Sequence, residues 1–316
     1  MKRLSFFITL LAILALACSL PGKPSAATQP IETAASPQIT NEAGSSSSEF
    51  DSSKLGTVEK DITYCTVNGV ELKMDVYYPS SSDGLFPVTM YVHGGGWSKG
   101  DKSEGAGAME IDSLQRAGFL VAAVNYRLAP KYKFPAMIED VKCAVRSLRA
   151  HAKEYNLDPN RIGVYGGSAG GHLVSLLGTT DAGAGFDVGE YLDQSSRVQA
   201  VVDMFGPTDL SAQFEGGYEN ARRVFGDFDA ALASPVTYVS ADDPPFLILH
   251  GEQDMLVPIE QSEILLAALQ AVNVPAELVR VIHAGHSFKP EDGKTIVPSR
   301  REIAQRVVDF FMEHLK

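Results

Sequence analysis

The chain has 316 residues, 45% of them hydrophobic, so it is long enough for one sizeable α/β core. Its formal net charge of -12 argues against nucleic acid or an anionic surface as a partner. Its three cysteines show no metal-ligand spacing to a histidine, so no metal site is expected.

Residues 1–18 read as a targeting segment. Lys2 and Arg3 form a positive start, and Leu4 to Ala17 is almost continuously apolar. That run is short for a membrane span, which needs ~20 residues, and suits a signal core. Two readings of its end stay open. Ala15-Leu16-Ala17 fits ordinary cleavage and secretion, whereas Cys18 directly after it fits a bacterial lipobox, which would anchor the protein through a lipid on that cysteine. Residues 19–54 are rich in Ser, Ala, Pro and Thr, bury too little to offset their ordering entropy, and read as a disordered tether. The folded part is expected from Leu55 to Lys316.

Alternating strand-like and helix-like runs fill that part, a sign of βαβ units and a mainly parallel sheet. Asp61–Val67 and Val70–Tyr78 read as a hairpin joined by Asn68-Gly69. Val88–Val92 is an apolar strand, and His93-Gly94-Gly95-Gly96-Trp97 directly follows it. Glycines there let backbone N–H groups approach a substrate without side chains in the way. Gly95 and Gly96 are the expected oxyanion donors, with Gly94 a further candidate, and His93 is expected to fix the loop. Trp97 suits either an acyl pocket or a cover for the sheet edge. Glu104–Ala117 has helical spacing, Phe119–Asn125 reads as a strand, and Ala136–Tyr155 as one long amphipathic helix. Arg127 and Asp140 read as scaffold polar groups. Cys65 falls in a strand and Cys143 in a helix, so two separate thiols are expected.

Arg161–Tyr165 then forms a short strand before Gly166-Gly167-Ser168-Ala169-Gly170, which is G-x-S-x-G between a strand and a helix. Ser168 is the candidate nucleophile, and the N–H of Ala169 should complete the oxyanion site. His172, one turn on, is expected to pack beneath. After the strand Val198–Met204, residues 205–243 read as an irregular, glycine-containing lid. Strand Phe246–His250, helix Glu260–Ala271, strand Ala276–Ile282 and helix Arg300–His314 complete the pattern.

A serine hydroxyl needs a base beside it and a third group to orient that base. Asp254 follows the strand at 246–250, and His286 follows the strand at 276–282. Together with Ser168 they stand in the order serine, acid, histidine that a nucleophile elbow calls for. Glu252 is the runner-up acid, ahead of Asp242 and Asp243. His283 lies nearer the strand and reads as structural. His151, His250 and His314 receive no functional role.

These motifs resemble the α/β-hydrolase superfamily, and more closely the hormone-sensitive-lipase-like and feruloyl/acetylxylan esterase-like (BD-FAE) carboxylesterases. The matching stretches are Tyr91–Gly100, Val124–Ala144, Arg161–Leu173, Ala200–Leu210, Ala233–Asp254 and His283–Phe288. The resemblance implies an eight-stranded, mostly parallel sheet flanked by helices, no cofactor, and a covalent acyl-enzyme on Ser168. Lipase-like relatives carry a helical N-terminal cap, whereas Leu55–Pro87 reads as strands, so an open cleft is expected. An open cleft suits esters on sugars or polymers, such as acetyl or feruloyl groups on plant polysaccharide. An arylformamidase-like amide hydrolase is the alternative. A non-catalytic binding protein on the same fold is a further one, disfavoured because all three positions are filled.

Overall fold

The computed structural model describes residues 50–81, 84–215 and 219–316. The targeting segment at 1–18 and most of the tether at 19–54 lie outside these. Packing begins a little ahead of Leu55, because the ring of Phe50 meets Phe86 edge-on at 5.1 Å.

Eight strands form one sheet: β1 (Val58–Val67), β2 (Val70–Tyr77), β3 (Phe86–Val92), β4 (Leu120–Val124), β5 (Leu157–Gly167), β6 (Ala200–Met204), β7 (Phe246–Gly251) and β8 (Ala276–Val281). Their order across the sheet is β1-β2-β4-β3-β5-β6-β7-β8. The β1–β2 and β2–β4 pairs are antiparallel and every later pair is parallel. The parallel strands carry apolar residues on both faces, as a sheet covered by helices on both sides requires. In β4, Leu120, Ala122 and Val124 join one core while Val121 and Ala123 join the other. Helices α1 (Ile111–Arg116) and α8 (Arg300–Leu315) close the second core. Helices α2 (Ala136–Ala150), α4 (Ala169–Thr179) and α7 (Glu260–Ala271) close the first.

Two helices are shorter than their spacing suggests. Gly105, with φ of 100°, and a 3-10 turn at Ala106–Met109 delay α1. The long run at 136–155 breaks at His151, whose ring nitrogen sits 2.8 Å from the Ser147 carbonyl; α3 (Ala152–Tyr155) then continues it. The lid at 205–243, expected to be irregular, contains helix among its described residues. It holds α5 (Leu210–Glu215), α6 (Glu219–Phe225) and two 3-10 turns. Phe225 packs edge-on to Trp97 and against Phe134 and His172, so the end of α6 rests on the aromatic cluster beside α4.

The two separate thiols expected at Cys65 and Cys143 are instead joined in a disulfide, with Cα atoms 6.5 Å apart. A register shift between Thr63 and Cys65 turns two consecutive residues, Tyr64 and Cys65, inward toward the side where α2 lies. Strict strand alternation would not have placed both there. The bond closes a loop of 78 residues. On chain-entropy grounds, replacing both cysteines by serine should lower unfolding stability by about 4 kcal/mol, read as a drop in denaturant midpoint. Turnover of the folded variant should be unchanged, since the bond lies on the first-core side of the edge strand.

Candidate active site

The carboxyl ends of β3, β5, β7 and β8 meet at one edge of the sheet, where α/β folds of this kind place ligands. Strand β5 runs into Ser168, which has φ of 58° and ψ of -120° and immediately precedes α4. A non-glycine residue in that region is strained, and the cost is met by the packing around it. The Ser168 amide donates to the Met204 carbonyl at 2.9 Å and its carbonyl accepts from the His172 amide. A Cβ on Gly170 would stand 2.1 Å from the Val92 carbonyl oxygen, so only glycine lets α4 start this close to β3.

His286 lies in a 3-10 turn beyond β8 in which Ser287 and Phe288 both have positive φ. Its Nε2 is 3.0 Å from Ser168 Oγ, and its Nδ1 is 2.7 Å from Asp254 Oδ2. Phe205 braces the imidazole at 4.9 Å, and Phe288 braces Phe205 at 4.8 Å. The Arg300 guanidinium, at the start of α8, donates to the Ser287 carbonyl and lies over the Phe288 ring.

Asp254 is sealed, with a fully buried side chain, while the His286 side chain keeps 21% of its surface exposed. The imidazole therefore meets the cleft and the carboxylate does not. Asp254 Oδ1 accepts from the amides of Leu256 and Val257, each at 2.9 Å. Burial works against the charge, but the nearby imidazoles of His250 and His286 and the hydrogen bond from the Val257 amide outweigh it and hold the Asp254 pKa well below the usual carboxylate range.

The glycine loop stands opposite. Gly95 has φ of 110°, and a Cβ there would fall 2.1 Å from the Lys99 carbonyl oxygen. Among the described residues no acceptor takes the amides of Gly95 or Gly96, and Ala169 opens a helix whose first N–H groups have no intrahelical acceptor. Gly94 packs tightly on the elbow, where an added Cβ would meet the Gly167 carbonyl oxygen at 2.7 Å. His93 stacks on Tyr126 at 4.3 Å and donates from Nδ1 to the Gly94 carbonyl, so it braces this loop; burial lowers its pKa. These groups border a cleft of roughly 600 Å³ that also includes Phe205, Leu256 and Ser287. Of the segment at 205–243, only Phe205 lines the cleft among the described residues.

The array brings together Ser168, His286 and Asp254 and leaves the other candidates apart. Glu252 is exposed, Asp242 pairs with Arg197, and Asp243 binds Ser240. Arg127 and Asp140 pair with each other at 2.7 Å. Trp97 does not line the cleft; it is buried, and its indole N–H donates to His172 Nδ1 at 3.2 Å. His172 Nε2 donates in turn to the Ala233 carbonyl at 2.8 Å, and burial pushes its pKa down to about 4. That neutral ring ties the glycine loop, through Trp97, to α4 and to the segment at 205–243. The sequence reading missed this link and also missed His250. The one signal for His250 was its place at the end of the strand that delivers Asp254.

The BD-FAE family model matches residues 74–269. The probable carboxylic ester hydrolase LipM of Mycobacterium tuberculosis is 36% identical over 64% of this chain and 50% of its own length. Esterase LipC of the same organism is 31% identical over 69% of this chain and 57% of its own. The chain thus spans about half the length of the curated relatives it matches. Among solved structures, a truncated carbohydrate esterase from gut microbiota superposes with TM-score 0.70 at 28% identity, over 83% of this chain and 98% of that one. The butyrate-bound esterase Est2 of Thermogutta terrifontis does so with TM-score 0.70 at 26% identity, over 82% and 95%.

Proposed function

This chain belongs to the BD-FAE family of α/β-hydrolases, and on that premise we propose that it is a serine carboxylesterase acting on acetyl or feruloyl esters of plant polysaccharide. The observation that carries the mechanism is the unbroken run of contacts from Ser168 Oγ through His286 to Asp254 at 3.0 and 2.7 Å. In this reading Ser168 Oγ attacks the ester carbonyl while His286 Nε2 takes its proton. Asp254 keeps the other proton on Nδ1 and stabilises the imidazolium as it forms. The amides of Gly95, Gly96 and Ala169 receive the oxyanion, where each donor is worth about 3 kcal/mol. The imidazolium then protonates the departing alcohol, leaving an acyl group on Ser168, and water removes that group by the same proton path.

The substrate class is supported by the family match, the carbohydrate-esterase neighbour and a cleft that, among the described residues of 205–243, only Phe205 lines. Release of acetate or ferulate from xylan should exceed hydrolysis of long-chain triglyceride and of formyl-aryl amides. Preference for triglyceride or for the formamide would defeat this substrate assignment.

Export is part of the same proposal, with the residue 1–18 pattern as its basis. The Cys65–Cys143 disulfide supports it, since such bonds persist in oxidising compartments. Lipidation of Cys18 would add the anchor, and radiolabelled fatty acid retained by wild type but not by Cys18→Ser would report it.

A further inference from the structure

His250 is fully buried at the end of β7, and the reaction outlined above makes no use of it. Its Nε2 is 2.8 Å from the Val257 carbonyl oxygen and 3.5 Å from Asp254 Oδ2, and its Nδ1 is 2.6 Å from Ser262 Oγ. A carbonyl oxygen only accepts, so Nε2 carries a proton. That N–H donates to the Val257 carbonyl, and the Asp254 carboxylate lies beside it, 3.5 Å from the same nitrogen. Asp254 is therefore flanked by imidazoles: His286 reaches Oδ2 from the cleft and His250 approaches the same oxygen from the core.

We propose that His250 is a positioning residue, holding the Asp254 carboxylate and its loop from the side opposite His286 and sharing that carboxylate between two rings. The proposal rests on the serine-esterase reading. Oδ1 is held by two backbone amides, whereas Oδ2 loses its close ring partner whenever His286 moves; a second, fixed imidazole beside Oδ2 offsets this. The groups facing His250 are few. From β6 comes Asp203, whose Oδ1 accepts from the Gly206 amide; burial pushes this carboxyl up to about 6, with His250 pulling the other way. From α7 comes the Ser262 hydroxyl, and from the loop after β7 comes Asp254, with His286 beyond it. Phe205 presents only an uncharged ring, 6.5 Å away.

The direction of the effect separates positioning of the charge from mere support of the loop. Without the His250 N–H dipole beside Oδ2, the Asp254 carboxylate interacts more strongly with His286 and favours the imidazolium. The acid limb of the kcat/KM profile should then move to higher pH. Loosening the loop would instead part Asp254 from His286 and move the limb to lower pH.

The test measures that limb on nitrophenyl acetate for wild type, His250→Phe and His250→Gln. We expect His250→Phe to raise it by about half a pH unit. We expect His250→Gln, whose amide offers an N–H near the former Nε2, to restore most of the difference. A downward shift, or lost turnover with the limb unmoved, overturns the proposal. Should His250→Phe fail to fold, nitrogen-15 spectra of the wild-type histidines decide. The proposal requires a proton on His250 Nε2 throughout the titration of the active-site ring, and a proton on Nδ1 alone contradicts it. Absence of esterase turnover by wild type would defeat the underlying reading, while the tautomer spectrum would still judge the hydrogen bonds of His250.

Discussion

Replacing Ser168 by alanine should lower kcat on nitrophenyl acetate by on the order of a million-fold, to the background of the remaining site. The fold should survive. Alanine meets the same backbone strain as serine at φ of 58°, and among the described residues the hydroxyl lost makes a single side-chain hydrogen bond, to His286. Ser168→Gly extends the argument. Its φ and ψ of 58° and -120° lie where glycine sits without strain, so this variant should match or exceed wild type in thermal midpoint while being equally inactive. Circular dichroism melts beside the kinetics check both halves. An alanine variant retaining a tenth of wild-type turnover would remove Ser168 from the chemistry.

Asp254→Asn should lower kcat by about ten-thousand-fold. The direction follows from what surrounds the side chain. Oδ1 accepts from two amides, Leu256 and Val257, so the single oxygen of asparagine must occupy that position. Its NH2 group then faces His286 Nδ1, which can no longer be a donor there. The imidazole proton moves to Nε2 and points at Ser168 Oγ, where a base needs a lone pair. Glu252→Gln, at an exposed carboxylate outside the site, should leave kcat within about twofold. If Asp254→Asn behaved like Glu252→Gln, Asp254 would have no part in orienting the base.

The parts legible in the sequence were those written in local chemistry. Period-two and apolar runs located six strands within a residue or two, while β1 and β5 start three and four residues earlier than read, and the elbow glycines marked the one place where a helix must start against a strand. Asp254 and His286 were readable because each follows a strand and each sits where the elbow order demands. Contacts between distant elements left no such mark. The bond between Cys65 and Cys143 depends on a bulge that turns two adjacent residues inward. The link from Trp97 through His172 to Ala233 joins three segments by two hydrogen bonds, and no spacing encodes it. His250 looked like an ordinary strand end. Only the path of the loop after β7, which folds Val257 back over the ring, reveals what it touches. The helices at 210–215 and 219–225 leave no such mark because their glycine-flanked sequence reads as loop until Phe225 finds its aromatic neighbours.

A fluorophosphonate probe followed by peptide mass mapping bears most directly on whether hydroxyl, imidazole and carboxylate work as one unit. One adduct is expected, on the peptide containing Ser168, forming rapidly in wild type and barely at all in His286→Ala. Labelling at any other serine, or a rate at Ser168 indifferent to loss of the imidazole, would contradict the account.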